Sequence, residues 1–215
     1  MCVPKSIFLR VDINATARTT GLRMLSHVID YGPMHGLQAS RPILLDILLA
    51  NLNHHADSIA LLSIGMLAKF AVGVCLGPDD PILADVVGSI VEAMRLDVSD
   101  NGPDRRRAML QSLGKVVSSM EIYATVHLTL LTGALIQGLY SFSSDPSVAA
   151  AAVDATTAVV AACWPLCAGP HGTARKCRQD LHAALKCFVD TRGDCVAETT
   201  YRQATLLMSV LETSD

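Results

Sequence analysis

The 215-residue sequence contains few charged and few aromatic side chains. Asp, Glu, Lys and Arg make up 17% of the residues, and Phe, Trp and Tyr make up 4%. Soluble proteins average about 25% charged residues, so the low charged fraction points to faces covered by partner proteins or to a membrane. Its 17 cations and 20 anions give a net charge of −3. A net charge this close to zero gives no excess of basic side chains for binding phosphates, so we predict no nucleic-acid partner.

The sequence also lacks the short motifs that hold phosphates or expose a catalytic nucleophile. It contains no G-x-x-x-x-G-K-[ST], no G-x-G-x-x-G and no G-x-S-x-G pattern. Disorder is excluded because 51% of the residues are hydrophobic and the net charge is small. We therefore predict a folded protein that is not an enzyme and needs no cofactor.

Seven cysteines are present, but their spacing does not form a complete zinc pattern. Cys163 and Cys167 supply the first close pair of such a pattern, and no second close pair follows. His171, Cys177 and His182 could complete a site with them. We favour buried thiols that pack as small hydrophobic side chains. The alternative is a metal-binding protein or α-helical enzyme that uses the Cys/His cluster at 163–187.

The compartment is inferred from the cysteines and the first residues. An odd number of cysteines without a disulfide pattern favours a reducing environment. Lys5, Arg10 and Asp12 interrupt the apolar start of the chain, which is not typical of a secretory signal. We expect a cytoplasmic protein that can also enter the nucleus.

Two apolar stretches, 122–144 and 148–168, are long enough to cross a membrane. The first has no formal charge but contains several Thr and Ser residues, and the second is mostly alanine with one charge at Asp154. Helices buried among other helices explain both compositions. We therefore expect no membrane association.

The spacing of apolar residues predicts an all-α protein. Period-two alternation is scarce, whereas apolar residues recur at helical spacing along most of the chain. Helix starts are marked by Asn14, Asp57, Asp104, Asp194 and the pairs Asp80-Pro81 and Asp145-Pro146, whose side chains are expected to cap the first turn. On these signals we predict nine helices, near 14–31, 42–52, 57–75, 81–96, 103–121, 126–142, 146–163, 173–191 and 195–212.

The helices recur with a regular period. Alternate helices start near 14, 57, 103, 146 and 194, at intervals of 43, 46, 43 and 48 residues. Periods of about 40 to 47 residues with two helices per repeat are typical of HEAT and armadillo repeats. We predict a single HEAT/armadillo-like α-solenoid over 1–215, with about nine helices in antiparallel pairs. It comprises a partial first repeat at 14–31 and repeats near 42–75, 81–121, 126–163 and 173–212.

Two segments resemble known repeat proteins. Residues 145–152, DPSVAAAA, are similar to the start of the second helix of a HEAT repeat, with Ala149 in place of the usual arginine. The segment 155–165, ATTAVVAACWP, followed by 181–187, LHAALKC, resembles the region near the end of the second Tel-two-interacting protein family. The resemblance covers about 60 residues and implies an α-solenoid of the Triple T cochaperone complex, which helps phosphatidylinositol-3-kinase-related kinases mature.

We therefore expect a non-enzymatic scaffold whose partners are proteins, such as other solenoid subunits and a kinase client. Another HEAT-type adaptor, such as a dynein assembly or transport factor, is the alternative within this class.

Four residues are the candidate partner-binding surface. Arg105, Arg106 and Arg107 place three cations in the first turn of a helix, where they oppose the helix dipole, so local stability does not explain them. Trp164 is the only tryptophan and is predicted to end a helix just before Pro165. Trp and Arg are enriched at binding surfaces. In the last helix, we expect Leu206, Leu207 and Val210 to face the core.

Overall fold

The computed structural model describes residues 15–96, 102–167, 172–191 and 196–212, and all of the regular structure in these ranges is helical. The all-α prediction is confirmed. The α-helices are α1 (Ala15–Tyr31), α2 (Met34–Ala39), α3 (Arg41–Leu52), α4 (Asp57–Val74), α5 (Pro81–Leu96), α6 (Pro103–Met120), α7 (Leu128–Leu139), α8 (Pro146–Cys167), α9 (Gly172–Thr191) and α10 (Glu198–Glu212). Two 3-10 helices, Glu121–His127 and Tyr140–Ser143, flank α7.

The helices stack in two layers as an α-solenoid. One layer contains α3, α5, α7 and α9, and the other contains α4, α6, α8 and α10, with α1 packed on α4. Each helix of the first layer packs on the next helix of the second, and each pair packs on the following pair. This is the nearest-neighbour arrangement of repeat proteins. The HEAT or armadillo type, and the repeat limits, stay predictions.

The two layers are not equally close-packed. Helices α4, α6 and α8 pack along one another much more extensively than α3, α5 and α7 do. At the last pair the order reverses, because α7 packs on α9 more extensively than α8 packs on α10. A stack curves toward the layer whose members lie closer together. We therefore call α4, α6, α8 and α10 the inner layer and α3, α5, α7 and α9 the outer layer.

Two of the predicted helix starts are confirmed in detail. The Asp80 carboxylate accepts a hydrogen bond from the Ile82 amide at 3.1 Å, and the Asp145 carboxylate accepts one from the Ser147 amide at 2.8 Å. Proline follows each aspartate at the first helical position, where it has no hydrogen bond to lose. Dipeptides of this kind therefore identified the starts of α5 and α8 correctly.

Some details of the predicted helices were wrong. α4 begins at residue 57 as predicted, but Asp57 does not cap it, because Ala56 occupies the capping position and Asp57 is the first helical residue. The predicted helix 126–142 is an α-helix flanked by two 3-10 helices, and α2 was not predicted. α8 does not stop before Pro165 but continues to Cys167. A proline so close to a helix end removes only one hydrogen bond, which the last turn tolerates. The capping predictions for Asn14 and Asp194 lie outside the described residues.

Three helical stretches are long and apolar enough to cross a membrane by length and composition alone: Asp57–Val74, Pro103–Leu139 and Pro146–Trp164. Within the apolar 18-residue window of each stretch, 44 to 56% of the residues are buried inside the fold. The second stretch is interrupted by a 3-10 helix, which Glu121 begins with a positive φ of 48°. The expectation that the protein does not associate with a membrane stays a prediction.

Asp80 joins the first two helix pairs and gives the fold a dependence on pH. Its side chain is 2% exposed, and it accepts hydrogen bonds from the Leu76 amide at 2.8 Å and from the Arg41 guanidinium at 2.6 Å. Burial alone would raise the pKa of Asp80, but the amides of Leu76 and Ile82 together with Arg41 outweigh it and lower the pKa below its ordinary 3.8.

We predict that Asp80→Asn lowers the free energy of unfolding by about 1 to 2 kcal/mol at pH 7. A lowered native pKa means that the ionised group stabilises the fold above pH 3.8 and that this stabilisation is lost as pH falls through the native pKa. Urea unfolding at a series of pH values should therefore show the difference from wild type shrinking below pH 3.8. Asp79→Asn, at the exposed neighbouring position, is the control and should match wild type. An equal loss for Asp80→Asn at every pH would contradict the assignment.

Candidate functional site

Arg105 is buried and serves the fold. Its side chain is 6% exposed, and its Nε donates to the Asp57 carboxylate at 2.6 Å. Its Nη2 donates to the carbonyls of His54 at 2.7 Å and His55 at 3.1 Å. The start of α6 is thereby tied to the segment between α3 and α4. This placement corrects the expectation that Arg105 is unexplained by stability, and it removes Arg105 from the exposed surface.

The next two arginines differ from Arg105 and from each other. Arg106 is half-buried and lies beside Leu110 and Gln137, where α6 meets α7. The Arg107 side chain is 42% exposed and donates to the Asp104 carboxylate at 2.6 Å. Arg106 and Arg107 are therefore both partly accessible, whereas Arg105 is buried. The predicted basic surface is reduced from three cations to two partly accessible ones.

Arg107 also lies close to the start of α8. The pKa of Asp145 is lowered mainly by a hydrogen bond from the Ser147 hydroxyl at 2.6 Å, with smaller contributions from two backbone amides and from the positive charge of Arg107. Burial acts in the opposite direction. The starts of α4, α6 and α8 thus carry charges of both signs, with Arg105 and Arg107 of α6 between Asp57 of α4 and Asp145 before α8.

Trp164 is half-buried among the last helices. With Cys163 and Cys177 it lines an apolar cavity of about 20 Å³, which is room for roughly one water molecule. α7, α8, α9 and α10 all contribute residues to this cavity. The indole therefore packs between the last two helix pairs, while part of it remains accessible. Its role in partner binding stays a prediction.

The Cys/His cluster at 163–187 is only partly described. Cys163 and Cys177 are buried, and Cys177 Sγ lies 3.9 Å from Thr129 Oγ1. His182 contacts the Glu212 carboxylate at 2.9 Å. The Cys167 side chain and His171 lie outside the described part of the chain. Within the described ranges, no group of three His, Cys, Asp or Glu residues is placed to hold a metal ion.

An open groove lies on the inner layer, and it was not among the sites predicted from the sequence. It lies between α6 and α8, has a volume of about 480 Å³, and is lined by Gln111, Lys115 and Ser118 on one side and Asp154 on the other. Its floor is narrow because Gly114 approaches α8 closely: a Cβ atom at this position would lie 3.4 Å from the Ala155 Cα. We call this the α6–α8 groove.

The groove contains exposed charges of both signs. Lys115 and Asp154 are exposed, and no ion pair is found for either among the described residues. Lys115 follows Arg107 and Gln111 at helical spacing, so these side chains form one polar stripe along α6. Asp154 is the only formal charge between residues 146 and 167. This isolated charge in an alanine-rich helix marks Asp154 in the sequence, but it does not by itself indicate a groove.

Comparison with known proteins supports the fold and nothing finer. No protein-family model and no curated protein matches this sequence. The structure is similar to the crystal structure of an engineered protein, a target of the Northeast Structural Genomics Consortium. The TM-score is 0.54 at 14% sequence identity, and the match covers 100% of this chain and 98% of that one. At this identity the likeness shows a shared helical fold alone.

Proposed function

We propose that the protein is a non-enzymatic scaffold that binds another protein in the α6–α8 groove. The observation that carries this proposal is an open groove with exposed charged side chains above a layer of fully buried apolar side chains. Lys115 and Asp154 are exposed at its edges, whereas Leu110, Leu113, Val116 and Val117 of α6 are fully buried beneath it. Solenoids use such continuous surfaces for binding.

The groove favours a partner segment that carries both an anionic and a cationic side chain. Lys115 pairs with a carboxylate of the partner, and Asp154 pairs with a cation. Gln111 and Ser118 provide hydrogen-bond donors and acceptors between them. Arg107, at the start of the same polar stripe, extends the surface toward the helix starts. Of the residues predicted from sequence, it is the one that lies along this groove.

The finer form of the proposal is a subunit of an assembly complex for phosphatidylinositol-3-kinase-related kinases. Its support is the resemblance of 155–165 and 181–187 to the second Tel-two-interacting protein family. Residues 155–165 lie in α8, one wall of the groove. A HEAT-type adaptor for dynein assembly or transport is the alternative, and it would use the same groove.

We predict that the double charge reversal Lys115→Glu with Asp154→Lys reduces recovery of the partner at least about tenfold, because each reversed group meets a like charge on the partner. The measurement is affinity purification of the tagged protein followed by quantitative mass spectrometry. If the proteins that the variant no longer recovers act in kinase maturation, this result would support the finer form of the proposal.

Arg23→Glu, at an exposed position on α1, is the matched control and should recover the same partners as wild type. Circular dichroism establishes that all variants are folded. Unchanged partner recovery by the folded groove variant would overturn the assignment of the groove.

A further inference from the structure

The outward side of α7 and of its flanking 3-10 helices exposes five large apolar side chains. Ile122 is 38% exposed, Tyr123 49%, Val126 82%, Leu130 42% and Tyr140 51%. Tyr123, Val126, Leu130 and Tyr140 follow helical spacing and form one stripe. We call this stripe, with Ile122, the α7 face. It lies on the outer layer, on the opposite side of the solenoid from the α6–α8 groove.

The neighbouring helices of the outer layer differ from α7 because they are charged. The exposed side of α5 presents Asp85, Glu92 and Arg95, two anions against one cation, for a net charge of −1. The exposed side of α9 presents three cations, Arg175, Lys176 and Lys186, and two anions, Asp180 and Asp190, for a net charge of +1.

A second protein surface can approach the middle of the α7 face closely. A groove of about 410 Å³ runs between α5 and α7, lined by Val91, Leu130, Gly133 and Ala134 with Arg95 at its edge. Gly133 is exposed, and a Cβ atom added there would meet no atom within 4 Å. The backbone of another helix can therefore approach α7 at this point.

We propose that the α7 face binds the α7 face of a second copy, forming a two-fold dimer in which the two α7 helices run parallel and cross near Gly133. The α7 face has no formal charge, so it meets its own copy without repulsion. A two-fold axis parallel to α7 places α5 of one copy opposite α9 of the other, which matches −1 with +1. An axis perpendicular to α7 would place each helix opposite itself and match like charges. Charge therefore selects the parallel dimer.

The available surface meets the requirement of a stable dimer. The first 3-10 helix and α7 together extend roughly 30 Å, and three neighbouring helices are roughly 30 Å wide. A footprint of roughly 900 Å² per copy compares with the roughly 800 Å² per partner of a typical specific interface. The inference does not depend on the proposed function, since the α6–α8 groove lies in the other layer and stays open in the dimer.

The test is the mass of the purified protein in solution, measured by sedimentation equilibrium at about 100 μM, a concentration at which even a micromolar dimer is saturated. Wild type is expected at twice the 22.8 kDa chain mass. Val126→Asp with Leu130→Asp changes only exposed side chains and is expected to give the single-chain mass. Met24→Asp alters an apolar residue on α1 that is 67% exposed, and it should remain a dimer.

The orientation is tested by Glu92→Lys, which changes the net charge of the exposed α5 side from −1 to +1. In the parallel dimer this side then faces the positive α9, so the dissociation constant should rise at least about fivefold at low salt. An unchanged dissociation constant would overturn the parallel arrangement. It is the result expected if α5 of one copy faced α5 of the other, because like charges would then face each other both before and after the substitution.

Two results would overturn the dimer itself. One is a wild-type protein with the single-chain mass at about 100 μM, including one that floats with phosphatidylcholine vesicles and so uses the α7 face on a membrane. The other is a dimer that persists in the Val126→Asp, Leu130→Asp variant.

Discussion

Replacement of Arg105 by alanine is expected to lower the free energy of unfolding by about 2 to 4 kcal/mol. The substitution removes a nearly buried guanidinium and its hydrogen bonds to the carbonyls of His54 and His55. The His54 carbonyl then lies in a site that the arginine had filled, without its charged donor. Chemical denaturation followed by circular dichroism measures this loss.

The ion pair between Asp104 and Arg107 provides a matched control for Arg105. Its two side chains are 65% and 42% exposed. Exposed ion pairs contribute at most about 1 kcal/mol, so Arg107→Ala should cost no more than that. Equal losses for Arg105→Ala and Arg107→Ala would contradict the structural role of Arg105.

Gly138→Ala is expected to destabilise the protein by about 1 to 3 kcal/mol. A Cβ atom at this position would lie 2.9 Å from the Ala152 Cβ and 3.0 Å from a terminal methyl carbon of Leu110. The leucine can turn away, but the Ala152 Cβ is fixed to the backbone of α8. α7 and α8 must therefore separate, which loosens the packing of the third helix pair on α6.

Gly65→Ala in α4 is the control for Gly138→Ala. Gly65 is exposed within a helix, and an added Cβ would meet no atom within 4 Å. Alanine should therefore stabilise the helix by about 0.5 to 1 kcal/mol. The two alanine substitutions thus have opposite expected signs, which thermal unfolding can resolve. A stabilised Gly138→Ala protein would show that α7 and α8 are not in close contact there.

The order and limits of most helices could be predicted because local chemistry sets them. At Asp80-Pro81 and Asp145-Pro146, capping and the missing proline amide act within one turn, so no tertiary information is needed. The period of alternate helices then indicated stacked pairs. Asp57 shows the limit of local reasoning, because its carboxylate pairs with Arg105, 48 residues away, and caps nothing.

The faces of the last helix show a second limit. Leu206 and Val210 were expected in the core but are 66% and 38% exposed, whereas Leu207 and Leu211 are buried. A terminal helix has a neighbour on one side only, and apolar residues on its other side follow the same period as the buried ones. Periodicity therefore identifies the helix but not the face that the rest of the fold covers.

The candidate site was harder to predict than the fold. The three consecutive arginines looked like one basic surface, but a helix turns by about 100° per residue, so adjacent side chains point to different environments. Arg105 is buried, Arg106 half-buried and Arg107 partly exposed. The α6–α8 groove depends on the separation of two helices about 40 residues apart, which no local pattern specifies.

The central claim is that helix pairs are stabilised mainly by their immediate neighbours, and hydrogen exchange on Arg105→Ala tests it most directly. Arg105 joins α6 to the segment before α4, whereas α9 and α10 pack on α7 and α8 and on the intervening 3-10 helices. In a nearest-neighbour stack, protection should fall in α3, α4 and α6 and stay at its wild-type level in α9 and α10. A uniform fall in protection along the whole chain would mean that the protein opens as one closed unit, and this result would contradict the solenoid account.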